Sequence, residues 1–448
     1  MALGSVSLGA TERVRAAALA GTSEPVDLFS PAHPDLLLVY LAVLLAAHLT
    51  FVVAGRRTDQ VLLPTIGMLG GIGLLLMERL PQDLAGGSAG LAQSQLGWLI
   101  LSLGIATALA IGIRNDSWLR RYKYTWAAFG VGLLLLVFLF GRDVNGAKLT
   151  LAVGPLSGQP SELLKVILVV FLAGYLSENR PLLVDESVRL GPLRLPPFPY
   201  LAPMVAMWAI ALAIVVVQKD LGAALLFFAV FLLLLYVATA RISYVVVGLF
   251  AFVAGAAVLY RFLEHVRTRV DIWLDPFADA QGAGFQVVQA LHAFARGGIL
   301  GTGLGNGLPT IGGRPPIPAL HTDFPFAALG EELGLIGILA ILGLYLVLVE
   351  RGLRIAASAA DEFRAILAAG LSLVVGVQAF IIAAGNLKLI PLTGITLPFI
   401  SYGGSSLLAN GVVVGLLIAL SDRGVEPPPP PGADRGRLRR LLRREPVR

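Results

Sequence analysis

Long apolar runs separated by short polar segments make up most of the chain. Each run has about the 20 residues that an α-helix needs to cross a bilayer, whereas the strands of a membrane barrel are shorter and alternate in polarity. The pattern therefore predicts an all-α polytopic membrane protein with about eleven transmembrane helices. The predicted spans begin near Leu36, Val61, Gly97, Tyr124, Ser161, Pro199, Leu221, Ser243, Phe324, Phe363 and Ser405.

One long polar stretch interrupts this pattern at residues 263–322, between the eighth and ninth spans. It shows no hydrophobic periodicity, and a loop of that length is usually functional or disordered. Because it keeps Trp, Phe and Leu side chains throughout, the pattern favours a functional loop. The stretch ends at His321-Thr322-Asp323, where the next apolar run begins.

Basic clusters predict the orientation of the spans. Arginines or lysines follow every odd-numbered span, from Arg56 and Arg57 after the first to Arg423 after the eleventh. Connections rich in Lys and Arg stay on the cytoplasmic side of a membrane. We therefore expect the N-terminus and the long loop outside, and the C-terminus in the cytoplasm.

Composition supports this class and excludes others. Charged residues are 14% and hydrophobic residues 56% of the chain, whereas soluble domains have about 25% charged residues. The chain has no cysteine, which excludes disulfides, thiolate metal sites and cysteine nucleophiles. The net charge is +6, and most of it comes from seven arginines within residues 432–448. We interpret this tail as binding anionic membrane lipids rather than nucleic acid, because no folded basic module accompanies it.

The chain divides into three parts. Residues 1–34 form an extracytoplasmic or flexible segment that lacks the apolar core of a signal peptide. Residues 35–423 form the transmembrane domain, which includes the loop 263–322. Residues 424–448 form a Pro-rich and Arg-rich cytoplasmic tail, which is either solvated or folded as a short amphipathic helix.

Charges just inside apolar spans are the first candidates for function. Glu162 and Lys165 share one face of the fifth predicted span, where charges face the bundle interior or a water-filled cavity. They could bind a ligand, or form an ion pair that only fixes helix packing. Asp220, in the turn before the seventh span, either faces a ligand or caps the helix.

The end of the long loop offers a carboxylate. Asp323 stands at the start of the ninth span, where it is either an ionised helix cap or a general base for a hydroxyl. Both roles are compatible if Thr322 is the cap. Glu331 and Glu332 lie two turns deeper, and one of them must find a polar partner. The Gly-rich segment 297–307 lacks the strand–helix unit of a dinucleotide site, but its backbone amides could approach a pyrophosphate.

A second polar hairpin, at residues 389–406, is predicted outside and re-enters a helix at Gly403-Gly404-Ser405-Ser406. Free amides at a helix N-terminus attract phosphate. Small residues also permit close helix packing, which is the alternative interpretation.

Taken in order, these segments resemble the SEDS family, the FtsW, RodA and SpoVE proteins, and its longer actinobacterial-type members in particular. The resemblance covers about residues 36–423. The family usually has ten spans, so we expect the extra span at the N-terminus. The matching segments are Asn145-Gly146-Ala147, Gln159-Pro160-Ser161-Glu162 with Lys165, Asp220-Leu221-Gly222, Asp275-Pro276-Phe277, His321-Thr322-Asp323-Phe324, Gly330-Glu331-Glu332-Leu333-Gly334, and residues 397–406.

The resemblance implies a peptidoglycan glycosyltransferase that polymerises lipid II on the outer face of the bacterial plasma membrane, for division, elongation or sporulation. It also implies a class B penicillin-binding protein, a transpeptidase, as the partner. The family's essential aspartate corresponds to Asp323, the expected catalytic residue. The residues expected to bind lipid II and its undecaprenyl pyrophosphate are Lys165, Glu162, Lys148, Asp220, Arg269, His321, Thr322, Ser401, Tyr402, Gly403, Gly404 and Ser405.

Some positions depart from the family pattern. Lys148-Leu149 replaces Arg-Trp, Ser157 replaces an arginine, and Lys219 replaces a proline. A cavity arginine is therefore missing, and we expect Lys148 or Lys219 to supply its charge.

The expected reaction inverts the anomeric centre, with Asp323 accepting a proton from the attacking GlcNAc hydroxyl. A divalent cation, Mg²⁺ or Mn²⁺, on the pyrophosphate is compatible with this mechanism, although no ligand cluster in the sequence demands one. Two rival functions remain open. One is a flippase for a lipid-linked precursor, and the other is a scaffold that recruits the transpeptidase without catalysis.

Overall fold

Helices dominate the part of the chain that the structure describes. The computed structural model describes residues 34–422 apart from 82–83, 85–89, 145–146, 154–155, 186–187, 191–192, 196–201, 203–204, 207–208, 211–212, 214–215, 217 and 308–316. Within these residues, ten helices are long and apolar enough to cross a membrane. The predicted all-α polytopic membrane protein is confirmed.

The helices are numbered in chain order. Their bounds are α1 Pro34–Val53, α2 Leu62–Arg79, α3 Leu91–Gly112, α4 Ser117–Arg121, α5 Lys123–Phe140, α6 Pro160–Asp185, α7 Leu221–Thr239, α8 Ile242–Phe262, α9 Glu264–Leu274, α10 Phe285–Gly297, α11 Pro325–Ala357, α12 Glu362–Asn386 and α13 Gly404–Ser421. The ten long ones match ten of the eleven predicted spans. The span predicted near Pro199 falls mostly outside the described residues, so it stays a prediction.

Among the described residues, five short strands lie in the connections. β1 Arg142–Val144, β2 Ala147–Val153 and β3 Leu156–Gly158 form an antiparallel sheet between α5 and α6. β4 Val188–Leu190 pairs antiparallel with β5 Leu193–Leu195 after α6. The described membrane-spanning segments are helices, in which every backbone group can be paired within the segment, as lipid requires.

The centre of the bundle is formed by α6, α7 and α12, whose side chains are mostly buried. These three helices pack on one another, and α11 packs along α12. By contrast α8 is almost entirely exposed, with Phe250 76% exposed. Apolar side chains at such positions are suited to lipid contact.

The prediction that residues 263–322 lack periodicity is wrong for part of the loop. Both α9 and α10 lie in it, joined by a 3₁₀ turn at Pro276–Asp279. On α10, Val287, Ala290, Ala293 and Gly297 are buried at intervals of three or four residues, which is the spacing of one helix face. Helix α10 has 13 residues, whereas the transmembrane spans were predicted from apolar runs of about 20 residues.

The bundle has two ends. The loop face carries α9, α10 and the start of α11, and the opposite face carries the turns between α1 and α2 and between α11 and α12. On the opposite face, ion pairs join elements distant in sequence: Arg56 Nη1 lies 2.6 Å from Asp422 Oδ2, and Arg364 Nε lies 2.9 Å from Asp116 Oδ2.

Helix α11 is interrupted. Gly334 has φ 65° and ψ −168°, which is not helical, so Pro325–Leu333 and the remainder of α11 are two helical pieces. The first piece starts at Pro325, two residues after Asp323.

Candidate active site

Asp323 lies on a turn that its backbone, not its carboxylate, holds in place. The N–H of Asp323 donates to the carbonyl of Ala319 at 2.9 Å, and its own carbonyl accepts from Asn386 Nδ2 at 3.0 Å. The N-cap of α11 is Phe324, and no side chain caps that helix. The alternative in which Asp323 caps the helix is therefore wrong, and Thr322 does not cap it either.

The hairpin between α12 and α13 locks this turn. Tyr402 N–H donates to the His321 carbonyl at 2.8 Å. The Ser401 hydroxyl donates to the Thr322 carbonyl at 2.7 Å and accepts from Leu397 N–H at 2.8 Å. The predicted site residues His321, Thr322, Ser401 and Tyr402 thus lie together.

Arg269 reaches the same hairpin from α9. Its Nη1 donates to the carbonyls of Thr393 at 2.9 Å and Leu392 at 3.3 Å. Gly394 follows, and a Cβ atom built on Gly394 would lie 3.8 Å from Asp323 Oδ2. The guanidinium is therefore held near the carboxylate by backbone contacts, without a salt bridge to Asp323 among those that join described residues.

Two further contacts fasten α9 to the hairpin. Trp273 Nε1 donates to the Lys388 carbonyl at 3.1 Å, and Lys388 Nζ donates to the Leu274 carbonyl at 3.3 Å. Sequence reasoning did not identify Trp273 or Lys388, because their partners are backbone atoms more than 100 positions away.

The surroundings shift the pKa values of these groups. Burial raises the pKa of Asp323 above that of an ordinary aspartate, and the Thr322 hydroxyl and the Arg269 charge oppose that rise. Burial lowers the pKa of Arg269, and the charges of Asp220 and Asp323 oppose that fall. Burial also lowers the pKa of His321, which favours its neutral form. A carboxylate whose pKa is raised accepts a proton more readily once ionised.

Asp220 caps α7, so the structural role proposed for it is confirmed. Its Oδ1 accepts from Ala223 N–H at 3.0 Å. Its Oδ2 accepts from Gln159 Nε2 at 3.1 Å and from the Ser161 hydroxyl at 3.2 Å. Burial raises the pKa of Asp220, and the nearby charge of Glu162 acts in the same direction, against the three hydrogen bonds.

Lys165 lies in a closed polar network. Its side chain is 1% exposed, and Nζ contacts Glu162 Oε2 at 2.6 Å. The same Nζ donates to Gln378 Oε1 at 2.8 Å and Asn410 Oδ1 at 3.1 Å. An ammonium has three protons, and all of them have acceptors here.

The network extends to the hairpin through Thr396. Glu162 Oε1 accepts from the Thr396 hydroxyl at 3.3 Å, and Gln378 Nε2 donates to the Thr396 carbonyl at 2.8 Å. Sequence reasoning missed Gln378 and Asn410. The available signal was their polarity in the middle of apolar spans.

A small cavity of about 20 Å³, with room for about one water molecule, lies against the network. Gly394 lines it and also lies beside the Asp323 carboxylate. The two sites are therefore neighbours across one hairpin. The cavity is lined by Gln159, Ser161, Glu162, Lys165, Asp220, Ala223, Leu226, Phe227, Gln378, Gly394, Ile395 and Thr396.

The predicted helix start after the hairpin is confirmed, since α13 begins at Gly404. The Ser405 hydroxyl accepts from Gln159 N–H at 3.0 Å. The close-packing alternative also holds, because a Cβ atom on Gly404 would lie 2.6 Å from the Trp98 ring and one on Gly411 would lie 2.5 Å from Ser102 Oγ. Gly403 precedes the helix as its N-cap.

Three predicted residues cannot be placed in the site. Asn145 and Gly146 lie outside the described residues, and the side chain of Lys148, in β2, is also outside the described part. Elsewhere in the chain the structure describes, no group of three or more His, Asp and Glu side chains could hold a metal ion.

Comparisons with known proteins agree with this architecture. A family model described as the FtsW, RodA and SpoVE cell cycle proteins matches residues 60–424, which begin after α1. The peptidoglycan glycosyltransferase RodA of Mycobacterium tuberculosis is 42% identical over 392 residues, covering 86% of this chain and 82% of that protein. The corresponding RodA of Mycobacterium leprae is 39% identical, covering 87% and 83%.

Solved structures show the same fold. A chain of a peptidoglycan synthase complex, studied for the coordination of polymerization and crosslinking, matches with a TM-score of 0.66 and 27% identity, covering 83% of this chain and 99% of that chain. The rod shape determining protein RodA of Thermus thermophilus matches with a TM-score of 0.57 and 25% identity, covering 82% and 97%.

Proposed function

Because this chain belongs to the FtsW, RodA and SpoVE family, we propose that it is a peptidoglycan glycosyltransferase in which Asp323 is the general base. The observation that supports this role is that Asp323 is held in place while its carboxylate is not used as a helix cap. It lies beside the cavity wall, no helix uses it as a cap, and its turn is fixed by backbone contacts. A carboxylate held in this way is positioned for proton transfer and still available for it.

The reaction follows from that role. The 4-hydroxyl of the GlcNAc unit of one lipid II gives its proton to Asp323 and attacks the anomeric carbon of MurNAc at the end of the growing strand. The new glycosidic bond forms as the bond to undecaprenyl pyrophosphate breaks, and the configuration at that carbon inverts. One base and a stabilised leaving group suffice, because pyrophosphate leaves well once its charge is neutralised.

Two features support binding of the leaving group near Asp323. Arg269 carries a positive charge against the hairpin, and the first amides of α13 are not capped by a side chain. Helix N-termini favour phosphate. Gly403, Gly404 and Ser405 would supply this contact, while His321, Thr322 and Tyr402 shape the wall nearest to Asp323.

The other predicted binding residues have a supporting role in this proposal. The side chains of Lys165, Glu162 and Asp220 bond to other groups of the protein. They fix α6 and α7 against the hairpin that lies beside Asp323. The expectation that Lys148 or Lys219 supplies a charge near the pyrophosphate stays a prediction.

Orientation and partner complete the proposal. Residues that follow odd-numbered spans are basic, and this supports a cytoplasmic C-terminus and an outward loop face. The site would then meet lipid II on the outer face of the plasma membrane. A class B penicillin-binding protein is the expected partner, as a related chain occurs in a peptidoglycan synthase complex. The higher identity to RodA than to FtsW proteins supports a role in cell elongation.

The test compares Asp323→Asn with the wild type in proteoliposomes that contain labelled lipid II and the partner transpeptidase. We expect polymer formation to fall by a factor of about 10²–10⁴, as for loss of a general base. Asp271→Asn is the matched control, because Asp271 is exposed on α9 and its carboxylate accepts a hydrogen bond from the Tyr260 hydroxyl, away from Asp323.

The same vesicles separate the rival functions. If Asp323→Asn forms polymer at the wild-type rate, Asp323 is not the general base. Movement of lipid II across the bilayer without polymer from the wild type would indicate a flippase. A scaffold would tolerate Asp323→Asn fully and lose function only when the contact with the transpeptidase is disrupted.

A further inference from the structure

The interruption of α11 at Gly334 needs partners for the backbone on both sides of it. A broken helix leaves carbonyls before the break and N–H groups after it without helical partners. Leu335 and Ile336, just past the break, are 48% and 56% exposed apolar side chains. In a lipid-facing position water cannot satisfy those groups.

A segment of the long loop supplies the missing partners. We name Gly297–Gly303, which follows α10, the glycine clasp. Its Thr302 and Gly303 N–H groups donate to the carbonyls of Glu331 at 3.0 Å and Glu332 at 2.9 Å. In return, Leu335 N–H donates to the Gly298 carbonyl at 2.9 Å, and Ile336 N–H donates to the Ile299 carbonyl at 3.2 Å.

The contact requires glycine on both sides. A Cβ atom on Gly301 would lie 2.1 Å from the Glu332 carbonyl oxygen, and Gly301 also has φ +81°. A Cβ atom on Gly334 would lie 2.3 Å from Gly301 N, and one on Gly297 would lie 2.1 Å from the Gly330 carbonyl oxygen. These obstacles are backbone atoms, which cannot move aside as a flexible side chain would.

Ion pairs hold the same half-helix from two directions. Arg296, at the end of α10, places Nε 2.9 Å from Glu331 Oε1. Arg79, at the end of α2, pairs with Glu332. The half-helix Pro325–Leu333 is therefore restrained over its last turn, while its first residue follows Asp323 and Phe324.

We propose that the glycine clasp is a positioning element for catalysis, which sets the direction of Pro325–Leu333 and so the placement of Asp323 against Arg269 and the hairpin. The inference rests on the proposed function of Asp323. An unbroken helix would continue the axis of the second piece of α11. The break, and the clasp that stabilises it, give the first piece a direction of its own.

The test uses Gly301→Ala and Gly334→Ala in the full chain with its transpeptidase, assayed for kcat, KM and the pH profile of lipid II polymerisation. We expect kcat to fall at least tenfold with KM little changed, and the acid limb of the pH profile to move to higher pH as the Arg269 charge and Asp323 lose their fixed geometry. Thr302→Ala, which removes only the hydroxyl that donates to the Glu331 carbonyl, should lower kcat a few-fold.

Two alanine variants serve as matched controls. Gly343→Ala lies in the same helix and its Cβ meets nothing within 4 Å. Gly55→Ala has a positive φ, +67°, on the opposite face and also meets nothing. Both should retain the wild-type kcat and pH profile, so the comparison separates helix propensity and backbone strain from loss of the clasp.

Each outcome decides the inference. If Gly301→Ala keeps the kcat and pH profile of Gly55→Ala, the positioning role is wrong, whatever its thermal stability. If Gly334→Ala does not accumulate in cells, the kcat values and pH profiles of Gly301→Ala and Thr302→Ala test the positioning role. Failure of the proposed function is distinguishable, because then Asp323→Asn itself would polymerise lipid II.

Discussion

The Lys165 network and the Asp323 turn lie on either side of one hairpin, yet their charges are held in opposite ways. Lys165 is closed in by Glu162, Gln378 and Asn410, which together accept all three of its protons. Asp323 is fixed through its backbone and leaves its carboxylate beside a cavity. A charge whose hydrogen bonds all go to protein groups has a structural role, whereas a positioned charge that can still accept a proton can do chemistry.

The largest effect on this comparison is expected from Lys165→Ala. It leaves the Glu162 charge and two amide oxygens without their donor, which costs about 3–5 kcal/mol in the free energy of unfolding. Chemical denaturation of the purified protein in lipid nanodiscs measures it. The double variant Lys165→Met with Glu162→Gln should recover part of the loss, because no charge remains buried alone. Equal stability of Lys165→Ala and the wild type would contradict a closed network.

The next effect concerns the link between the hairpin and the turn. Ser401→Ala removes the donor to the Thr322 carbonyl and leaves Leu397 N–H without its acceptor. Loss of these bonds should cost about 1–3 kcal/mol in the free energy of unfolding and lower kcat. Ser177→Ala is the control, since its hydroxyl only bonds back within α6 to Gly174. If the two variants unfold alike, Ser401 does not hold the site.

A smaller and opposite effect is expected from Asp323→Asn. Burial raises the folded-state pKa of Asp323, so its stability contribution is present at low pH and is lost as pH rises through that raised pKa. At neutral pH the ionised carboxylate therefore lowers the free energy of unfolding. Asp323→Asn should raise that free energy by about 0.5–2 kcal/mol, as stabilising substitutions at active sites commonly do. Thermal unfolding at pH 4 and pH 7.5 measures this. The gain should be confined to the higher pH, and a gain of equal size at both would contradict the cause.

The smallest change is a shift in pH dependence. The charge of Arg269 opposes the rise in the pKa of Asp323, so Arg269→Gln should raise that pKa further. As the pH falls, Asp323 would then be protonated at a higher pH than in the wild type. The acid limb of the pH profile of kcat/KM should therefore move to higher pH. Arg267→Gln, two residues away and exposed on α9, is the control. An unmoved acid limb in Arg269→Gln would mean that the guanidinium does not act on Asp323.

Much of the fold was predictable because lipid imposes simple demands on sequence. Runs of about 20 apolar residues predicted ten of the described spans to within a few residues. The match of the family model from residue 60 also agrees with the prediction of an extra N-terminal span. The helix α10 was missed, because a 13-residue amphipathic helix in a polar loop gives no such run.

The site was predicted as a set of residues but not as an arrangement. Asp323, Arg269, Ser401 and Tyr402 were identified from short segments, and their proximity is now seen in hydrogen bonds between segments more than 75 positions apart. Gln378 and Asn410 had only a weak signal in sequence, since a polar side chain in a span announces that it needs a partner but not which one.

By itself the sequence determined the membrane class, the family and the candidate carboxylate. These depend on local composition and on short motifs, which folding does not alter. Only the tertiary structure decided that Lys165 is enclosed, that Asp323 does not cap α11, and that the long loop clasps a broken helix. Those facts depend on which backbone groups meet across the bundle, and the partners of a buried charge or an interrupted helix come from distant parts of the chain.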